Sequence, residues 1–261
     1  MLSLKTVYLI EWKKIVKRKE IIALFTMLAI PALYSLGAYF NSSIIVFNND
    51  TKEYALSFIV NMFIFVKMLF IYFLITALFA AKSLGGEIEN RSILLYTQRI
   101  TNRAKIYKAK ILTLYSAILL ITACFFSFSL VMYYLFTVKR TDIAISQLLK
   151  WNEFLSLVYI LIGIVLLYFL VISFSMMLST FVKSNTAIII FCVVFIVFTF
   201  LGNFPYVKFI SFEYYLNKLI STVPTDTSQL TTLFGVYSIL IILFISICNV
   251  IGTRKFMRRD L

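Results

Sequence analysis

The sequence lacks histidine altogether and has only seven glycines, three prolines and 11 acidic residues, against 25 Lys and Arg. Without histidine, the usual general base for a serine or cysteine nucleophile is missing. The glycines form no G-x-x-x-x-G-K-[ST] loop, which is the motif that cradles a nucleotide phosphate. We therefore expect the chain to catalyse no reaction by itself and to bind no cofactor.

The three cysteines indicate neither a disulfide framework nor a metal site. Cys124, Cys192 and Cys248 each lie inside an apolar run, where a free thiol behaves as a small hydrophobic side chain. The net charge of +14 is concentrated at the ends of the apolar runs instead of covering a soluble surface. This clustering is typical of membrane flanks and argues against nucleic acid as a partner.

Long apolar runs dominate the chain: 62% of the residues are hydrophobic and only 14% are charged. A helix that rises ~1.5 Å per residue needs about 20 residues to cross a ~30 Å hydrocarbon layer. Six runs have roughly this length, and they predict a single all-α membrane domain of six transmembrane helices. The predicted spans are residues 21–40, 58–81, 111–136, 154–182, 186–202 and 230–252.

The distribution of positive charge predicts the orientation. Eighteen Lys and Arg lie in residues 1–20, 82–110 and 253–261 and at Lys183, whereas the loops on the other side hold six. Positively charged flanks stay in the cytoplasm, so both termini are expected on the cytoplasmic side. The expected location of the protein is the plasma membrane of a bacterium.

Residues 1–20 predict an amphipathic helix. Tyr8 and Trp12 fall on its apolar arc, and Lys13 and Lys14 fall on the opposite arc. Such a helix lies in the headgroup layer, with its cations on anionic lipid. The alternative is a plain basic flank of the first span, which requires no aromatic face.

Residues 82–110 are too polar to span a membrane and too patterned for an irregular loop. Glu87 and Glu89 are their only acids, and an apolar patch at 93–96 separates these from a basic stretch. This pattern favours docking of a partner protein, although the positive charge alone also fits a solvated loop.

The same segment resembles the permease subunits of type 2 ABC exporters, the ABC-2 family. In that family the second span is followed by G-E-x-E-x-G-T, an apolar stretch, P-x-S-R and a spaced lysine. The matching residues here are Gly86, Glu87, Glu89, Ser92, Ile93, Arg103 and Lys110. Arg91 stands where the family has glycine, and Ile100 where it has proline.

The resemblance extends over essentially the whole chain, because the six spans, the amphipathic start and the nearly loopless fourth–fifth hairpin also match. It implies an ABC-2 (type V exporter) fold with 82–110 as a cytoplasmic coupling segment. It further implies that separate subunits carry the ATPase activity and contact a coupling site on this chain. That site is formed by Gly86, Glu87, Glu89, Ser92, Ile93 and Arg103.

Two charged residues are candidates for the transport pathway or its outer gate. Lys67 is the only charge inside a predicted span, a position that is costly unless the side chain has a function or reaches the headgroups. Both readings stay open. Glu213 lies in the aromatic-rich segment 203–229. The resemblance implies that this segment is re-entrant at the outer side, whereas its composition alone is typical of an interfacial anchor.

Together these features predict the membrane-spanning permease of a bacterial ABC exporter. Its expected partners are two ATPase subunits that carry ATP and Mg, a second identical or homologous permease chain, and membrane lipids. The substrate is expected to be amphipathic or hydrophobic, and the resemblance implies antimicrobial or cytolytic peptides, hence resistance or immunity. The alternatives are a six-span channel, a sensor subunit and a secondary transporter, none of them coupled to ATP.

Overall fold

A computed structural model describes residues 3–40, 52–94, 103–204, 206–222 and 226–259. Within these ranges the chain is helical almost throughout, with one isolated backbone bridge between Glu53 and Ala144 and no named strand. The all-α prediction is confirmed. The helices are α1 (Leu4–Val16), α2 (Lys19–Phe25), α3 (Ala29–Tyr39), α4 (Ala55–Met68), α5 (Phe70–Ala81), α6 (Arg103–Leu135), α7 (Trp151–Phe181), α8 (Ser184–Leu201), α9 (Phe212–Ser221) and α10 (Thr227–Arg258).

Six segments are long and apolar enough to cross a membrane, so the chain is a multi-pass membrane protein. They agree in number and order with the six predicted runs. These segments are Lys19–Tyr39, Phe70–Glu89, Arg103–Lys139, Trp151–Phe181, Ser184–Leu201 and Thr227–Arg258.

The run predicted as the second span, 58–81, is not one continuous helix. Helix α4 ends at Met68, Leu69 adopts an extended conformation (φ −79°, ψ 95°), and α5 begins at Phe70. Beyond α5 the chain forms a π-helical turn, Lys82–Gly86, which leads into a short helical turn at Glu87–Glu89. π-helical turns are rare and concentrate at functional sites.

The first span is also interrupted. A 3₁₀ turn, Thr26–Leu28, separates α2 from α3, and Pro31 lies in the first turn of α3. Proline has no N–H to donate to the preceding turn, which explains why the regular α-helix stops just before it.

Aromatic side chains fill the centre of the bundle. Tyr168 on α7 packs against Phe73 at a ring-centroid distance of 4.9 Å and against Phe63 at 6.3 Å. Tyr237 on α10 is fully buried and donates a hydrogen bond to the Gly163 carbonyl at 2.7 Å. Buried tyrosine hydroxyls usually have such a partner. The contact therefore fixes the register of α10 on α7.

The bundle has two chemically different ends. The basic end contains α1, the turns after α5, the α7–α8 junction and the end of α10. The distal end contains α9, residues 52–54 before α4 and the loop that follows α6. At the distal end Tyr133 donates hydrogen bonds of 2.7 Å to the carbonyls of Glu53 and Ile145. Burial raises the pKa of the Glu53 carboxyl, and a hydrogen bond from Asn61 only partly counters this.

Two glycines of α10 should respond in opposite ways to alanine. A Cβ on Gly252 would lie 2.2 Å from the Tyr107 hydroxyl oxygen, whereas a Cβ on Gly235 would meet no atom within 4 Å. We expect Gly252→Ala to destabilise the protein by about 1–3 kcal/mol through overpacking. Gly235→Ala should instead stabilise it, by up to about 1 kcal/mol, because alanine has the higher helix propensity. Unfolding curves in detergent measure both, and equal effects would contradict the packing of α10 on α6.

Candidate functional site

The most concentrated charge in the described structure is a buried network at the basic end. The Lys110 Nζ atom on α6 lies 2.7 Å from Glu11 Oε2 and 2.8 Å from Glu87 Oε2. Lys14 donates a hydrogen bond of 3.1 Å to Glu87 Oε1, and Arg18 lies 4.0 Å from the same oxygen. We call these five residues the Lys110 network.

The network joins three segments that are distant in sequence. Val7, Glu11 and Ile15 form the buried stripe of α1, spaced four residues apart so that all three face one side of the helix. Lys110 is 1% exposed, Glu11 2% and Glu87 8%. Charges buried to this degree are tolerated only when they are paired. The position of α1 is therefore tied to the turn that follows α5.

Glu89 takes part in a second set of contacts. Its carboxylate accepts a short hydrogen bond from the backbone N–H of Ser184, the first residue of α8. Arg259 donates to the carbonyls of Ser179 and Thr180 in the last turn of α7, at 3.3 and 2.9 Å. An anion at a helix N-terminus and a cation at a C-terminus both complement the helix dipoles. The tight α7–α8 junction is thus held from both sides.

Gly85 allows the π-helical turn to approach this junction. A Cβ at Gly85 would lie 3.1 Å from the Cβ of Ser179 and 3.2 Å from that of Ser184. At Gly86, by contrast, an added Cβ would meet only the Lys82 Cβ, at 4.0 Å. Gly85 is therefore the glycine that the packing requires.

Arg91 adopts a left-handed conformation, with φ of 56°. A side chain in this region is strained, and glycine is the residue that adopts it most readily. Two contacts close the turn behind it: the Ile93 N–H and the Ser92 hydroxyl both donate to the Glu87 carbonyl, at 3.2 and 3.3 Å. Ile93 is then buried, with 1% of its surface exposed.

Replacing Arg91 by glycine should stabilise the protein. The left-handed conformation costs a residue with a Cβ about 1–2 kcal/mol. Part of the gain is lost because glycine is more flexible in the unfolded chain, which leaves a net gain of up to about 1 kcal/mol. Arg91→Ala is the control: it removes the same charge but keeps the Cβ. Equal unfolding midpoints for the two variants would contradict the strained turn.

Arg103 and α1 complete the basic end. Arg103 donates a hydrogen bond of 2.8 Å to the Arg259 carbonyl, which links the start of α6 to the end of α10. Tyr8 and Trp12 stack at 6.3 Å, and the Tyr8 hydroxyl donates to Ser116 Oγ at 2.9 Å, so part of the predicted apolar arc packs on α6. Lys13 is exposed.

A polar cleft of about 440 Å³ adjoins these turns. Its walls come from the α1–α2 junction, the turns after α5 and the start of α8. The lining residues are Arg18, Glu20, Lys82, Gly86, Glu87, Glu89, Asn90, Ser184 and Asn185. Lysine, arginine, glutamate and asparagine side chains together offer donors and acceptors to a partner that enters the cleft.

The two pathway candidates meet each other. The Lys67 Nζ atom forms a short ion pair with Glu213 on α9 and donates a hydrogen bond of 3.1 Å to Asn217 Oδ1. The Lys67 side chain is 8% exposed and the Glu213 side chain 12%. Lys67 lies in the last turn of α4, immediately before the break at Leu69, where the helix dipole favours a cation. Lys67 is therefore paired with α9 in this structure.

The predicted site residues thus form two groups. Gly86, Glu87, Glu89, Ser92, Ile93 and Arg103 all lie at the basic end. The Lys67–Glu213 pair is remote from them, since the 12 residues of α5, or about 18 Å of helix, lie between Leu69 and Lys82. Within the part of the chain that the structure describes, no group of three or more His, Cys, Asp or Glu residues is placed to hold a metal ion.

Sequence reasoning missed three partners. Glu11 could have been noticed as an acid in a strongly basic segment, and Asn217 as a polar residue one helical turn from Glu213. Arg259 lies in the basic tail, where nothing in the sequence distinguishes it from its neighbours.

Comparison with curated proteins gives no match. A family model does match, over residues 21–261, and the chain belongs to that family, described as Protein of unknown function (DUF2705).

Proposed function

We propose that the chain is the membrane-spanning permease subunit of a bacterial ABC exporter, with both termini in the cytoplasm. A second permease chain would complete the pathway, and two ATPase subunits would supply ATP hydrolysis. The proposed substrate is amphipathic or hydrophobic, in keeping with the apolar character of the bundle. The resemblance of residues 86–110 to the ABC-2 family supports this assignment, together with the left-handed Arg91 at the position of the family's glycine.

The observation that carries the proposal is the Lys110 network. It fastens the turn that follows the second span to α1 and to the start of α6 by buried ion pairs of 2.7 and 2.8 Å. A push on that turn therefore moves three segments together, because a buried ion pair resists separation of its partners. This is the mechanical property that a coupling segment requires.

The contacts refine the roles of the two acidic residues. Both carboxylates are engaged inside the chain, Glu87 by Lys110 and Lys14, and Glu89 by Ser184. In the proposed mechanism these residues position the coupling segment, and the ATPase itself enters the polar cleft beside it. The two packings of such a permease need differ by only a few kcal/mol, which nucleotide binding on the partner supplies.

A secondary transporter is the second candidate, on a specific observation. The second span breaks at Leu69, next to the buried Lys67–Glu213 pair. Broken helices with ionisable residues at their ends are features of ion-coupled transporters. Proteoliposomes distinguish the two: a pH or sodium gradient would drive uptake or efflux without ATP only in the second case.

The test of the exporter is co-expression of the full chain with the soluble P-loop ATPase encoded nearest to it, followed by purification in nanodiscs. We expect a complex with two copies of each subunit and an ATPase turnover that rises when amphipathic peptides are added. Absence of the ATPase from the purified protein, with unchanged turnover on mixing, would refute the proposal.

Variants at the two ends of α8 give a matched control for the docking site. Asn185→Trp fills the polar cleft and should weaken ATPase binding at least about tenfold, as truncation or blocking of central interface residues does. Asn203→Trp, just beyond the other end of α8, should leave binding unchanged. A Glu87→Ala/Glu89→Ala variant that kept full binding and coupled turnover would remove the assigned positioning roles.

A further inference from the structure

A partly open cavity of about 220 Å³ lies between α7, α8, α9 and α10, away from the polar cleft. Fourteen of its seventeen lining residues are apolar, which decides the chemistry of any occupant. The other three do not present free polar groups. Thr199 and Ser211 donate their hydroxyls to the carbonyls of Phe195 and Phe198, and Glu213 is paired with Lys67.

Water is a poor occupant of such a space. A buried water molecule needs two to four polar partners, and the lining offers none that is not already engaged. An empty cavity of this size also destabilises a bundle in proportion to its volume. An apolar ligand is therefore the favoured occupant of this cavity.

The outer faces of the helices beside the cavity contact apolar lipid. Helices α8 and α10 have only 17% of their most apolar stretches buried, and the side chains on their outer faces are large and hydrophobic. Ile189, Val193 and Ile239 are 64%, 57% and 68% exposed. In a bilayer these faces meet hydrocarbon chains, so the medium beside the cavity consists of lipid tails.

The cavity is also elongated. On α7 its lining runs from Leu167 to Met177, a rise of about 15 Å at 1.5 Å per residue. This is half of a ~30 Å hydrocarbon core, which is the depth occupied by the chains of one leaflet. Phe212 and Glu213 on α9 close one end.

We propose that this cavity binds one fatty acyl chain of a membrane lipid. The acyl chain lies along α7 between α8 and α10, and Phe212 and Glu213 close its α9 end. This site belongs to a single copy of the protein and does not depend on an ATPase partner.

The test uses the full chain alone in nanodiscs that contain a phospholipid with a photoactivatable diazirine on one acyl chain. After irradiation we expect label on half-buried lining residues, above all Leu170, Phe174 and Phe195. Lipid outside the bundle labels exposed residues such as Ile189. Label confined to exposed residues such as Ile189 would overturn the proposal.

Two neighbouring valines provide matched variants. Val194 lines the cavity and Val193 is exposed on the outer face of the same helix. Val194→Trp should reduce labelling of Phe174 at least threefold, and Val193→Trp should leave it unchanged. Equal labelling in the two variants would overturn the proposal.

A second pair decides the question if Val194→Trp does not fold. Cys248 lines the cavity and Cys192 does not, so Cys248→Leu should reduce labelling of Phe174 while Cys192→Leu does not. A second copy of the chain is the competing occupant. Crosslinks from the lining residues to another protein chain, in place of lipid, would establish that occupant and refute the acyl-chain site.

Discussion

Replacement of Lys110 by methionine is expected to destabilise the protein by about 3–5 kcal/mol, because it leaves buried carboxylates without their partner. Lys110 contacts both Glu11 and Glu87, and its side chain has no exposed surface. Lys14 stays close to both acids, at 3.7 Å from Glu11 and 3.1 Å from Glu87, but it is 40% exposed and does not replace a buried charge. Unfolding in detergent with increasing denaturant measures the loss.

The control is Lys108→Met, two residues away on the exposed side of α6. It removes the same charge and should change stability by no more than about 0.5 kcal/mol. Addition of Glu11→Gln and Glu87→Gln to Lys110→Met should recover most of the lost stability, since neutral amides are far less costly to bury. Equal effects of Lys110→Met and Lys108→Met would contradict the network.

Separation of Lys67 from Glu213 should loosen the contact between α9 and α4. Lys67→Met leaves the Glu213 carboxylate nearly buried and unpaired, which costs about 3–5 kcal/mol for a buried pair. Because α9 is held to α4 by this pair and by Asn217, the loss should be local. We expect hydrogen exchange of the amides in Phe212–Ser221 to accelerate while α7 keeps its protection.

A double-mutant cycle separates the pair from its surroundings. If the two side chains interact as the structure places them, Glu213→Leu should cost far less in the Lys67→Met background than in the unmodified protein. Lys218→Met on the exposed side of α9 is the charge-matched control and should leave exchange unchanged. Additive effects of Lys67→Met and Glu213→Leu would show that the two side chains are not coupled.

The Lys110 network and the Lys67–Glu213 pair are the two rigid contacts in the proposed transport cycle. One lies at the basic end, where a partner would push, and the other at the break in the second span, where α9 closes the acyl-chain cavity. Helix α5 connects them as one apolar helix between Leu69 and the π-helical turn. A displacement of Glu87 is therefore expected to reach Lys67 along the axis of α5.

The pairing pattern also explains the distribution of charge. Lys67, Lys110, Glu11 and Glu87 are buried in the described bundle, and each of them, like the nearly buried Glu213, lies against an opposite charge. In a low-dielectric interior an isolated charge is far more costly than a pair. Substitutions at these positions should therefore be tolerated best when both members of a pair change together.

The sequence by itself determined the class of the protein. Apolar runs of about 20 residues have no stable alternative to helices in a membrane, because every backbone N–H and C=O must be bonded within the segment. That requirement is local, so the six candidate spans and their order could be counted from the sequence. The segment around Glu87 and Glu89 was also found in the sequence, as a pair of acids that an apolar patch separates from a basic stretch.

Only the tertiary structure decided how the charged residues are used. Lys67 and Glu213 are 146 residues apart, and Glu11 and Lys110 are 99 apart, distances over which no periodicity carries information. The break at Leu69 was equally hidden, since the residues on either side are apolar and helix-compatible. Hydrophobicity specifies which segments enter the membrane, whereas the partner of each buried charge depends on how those segments pack against one another.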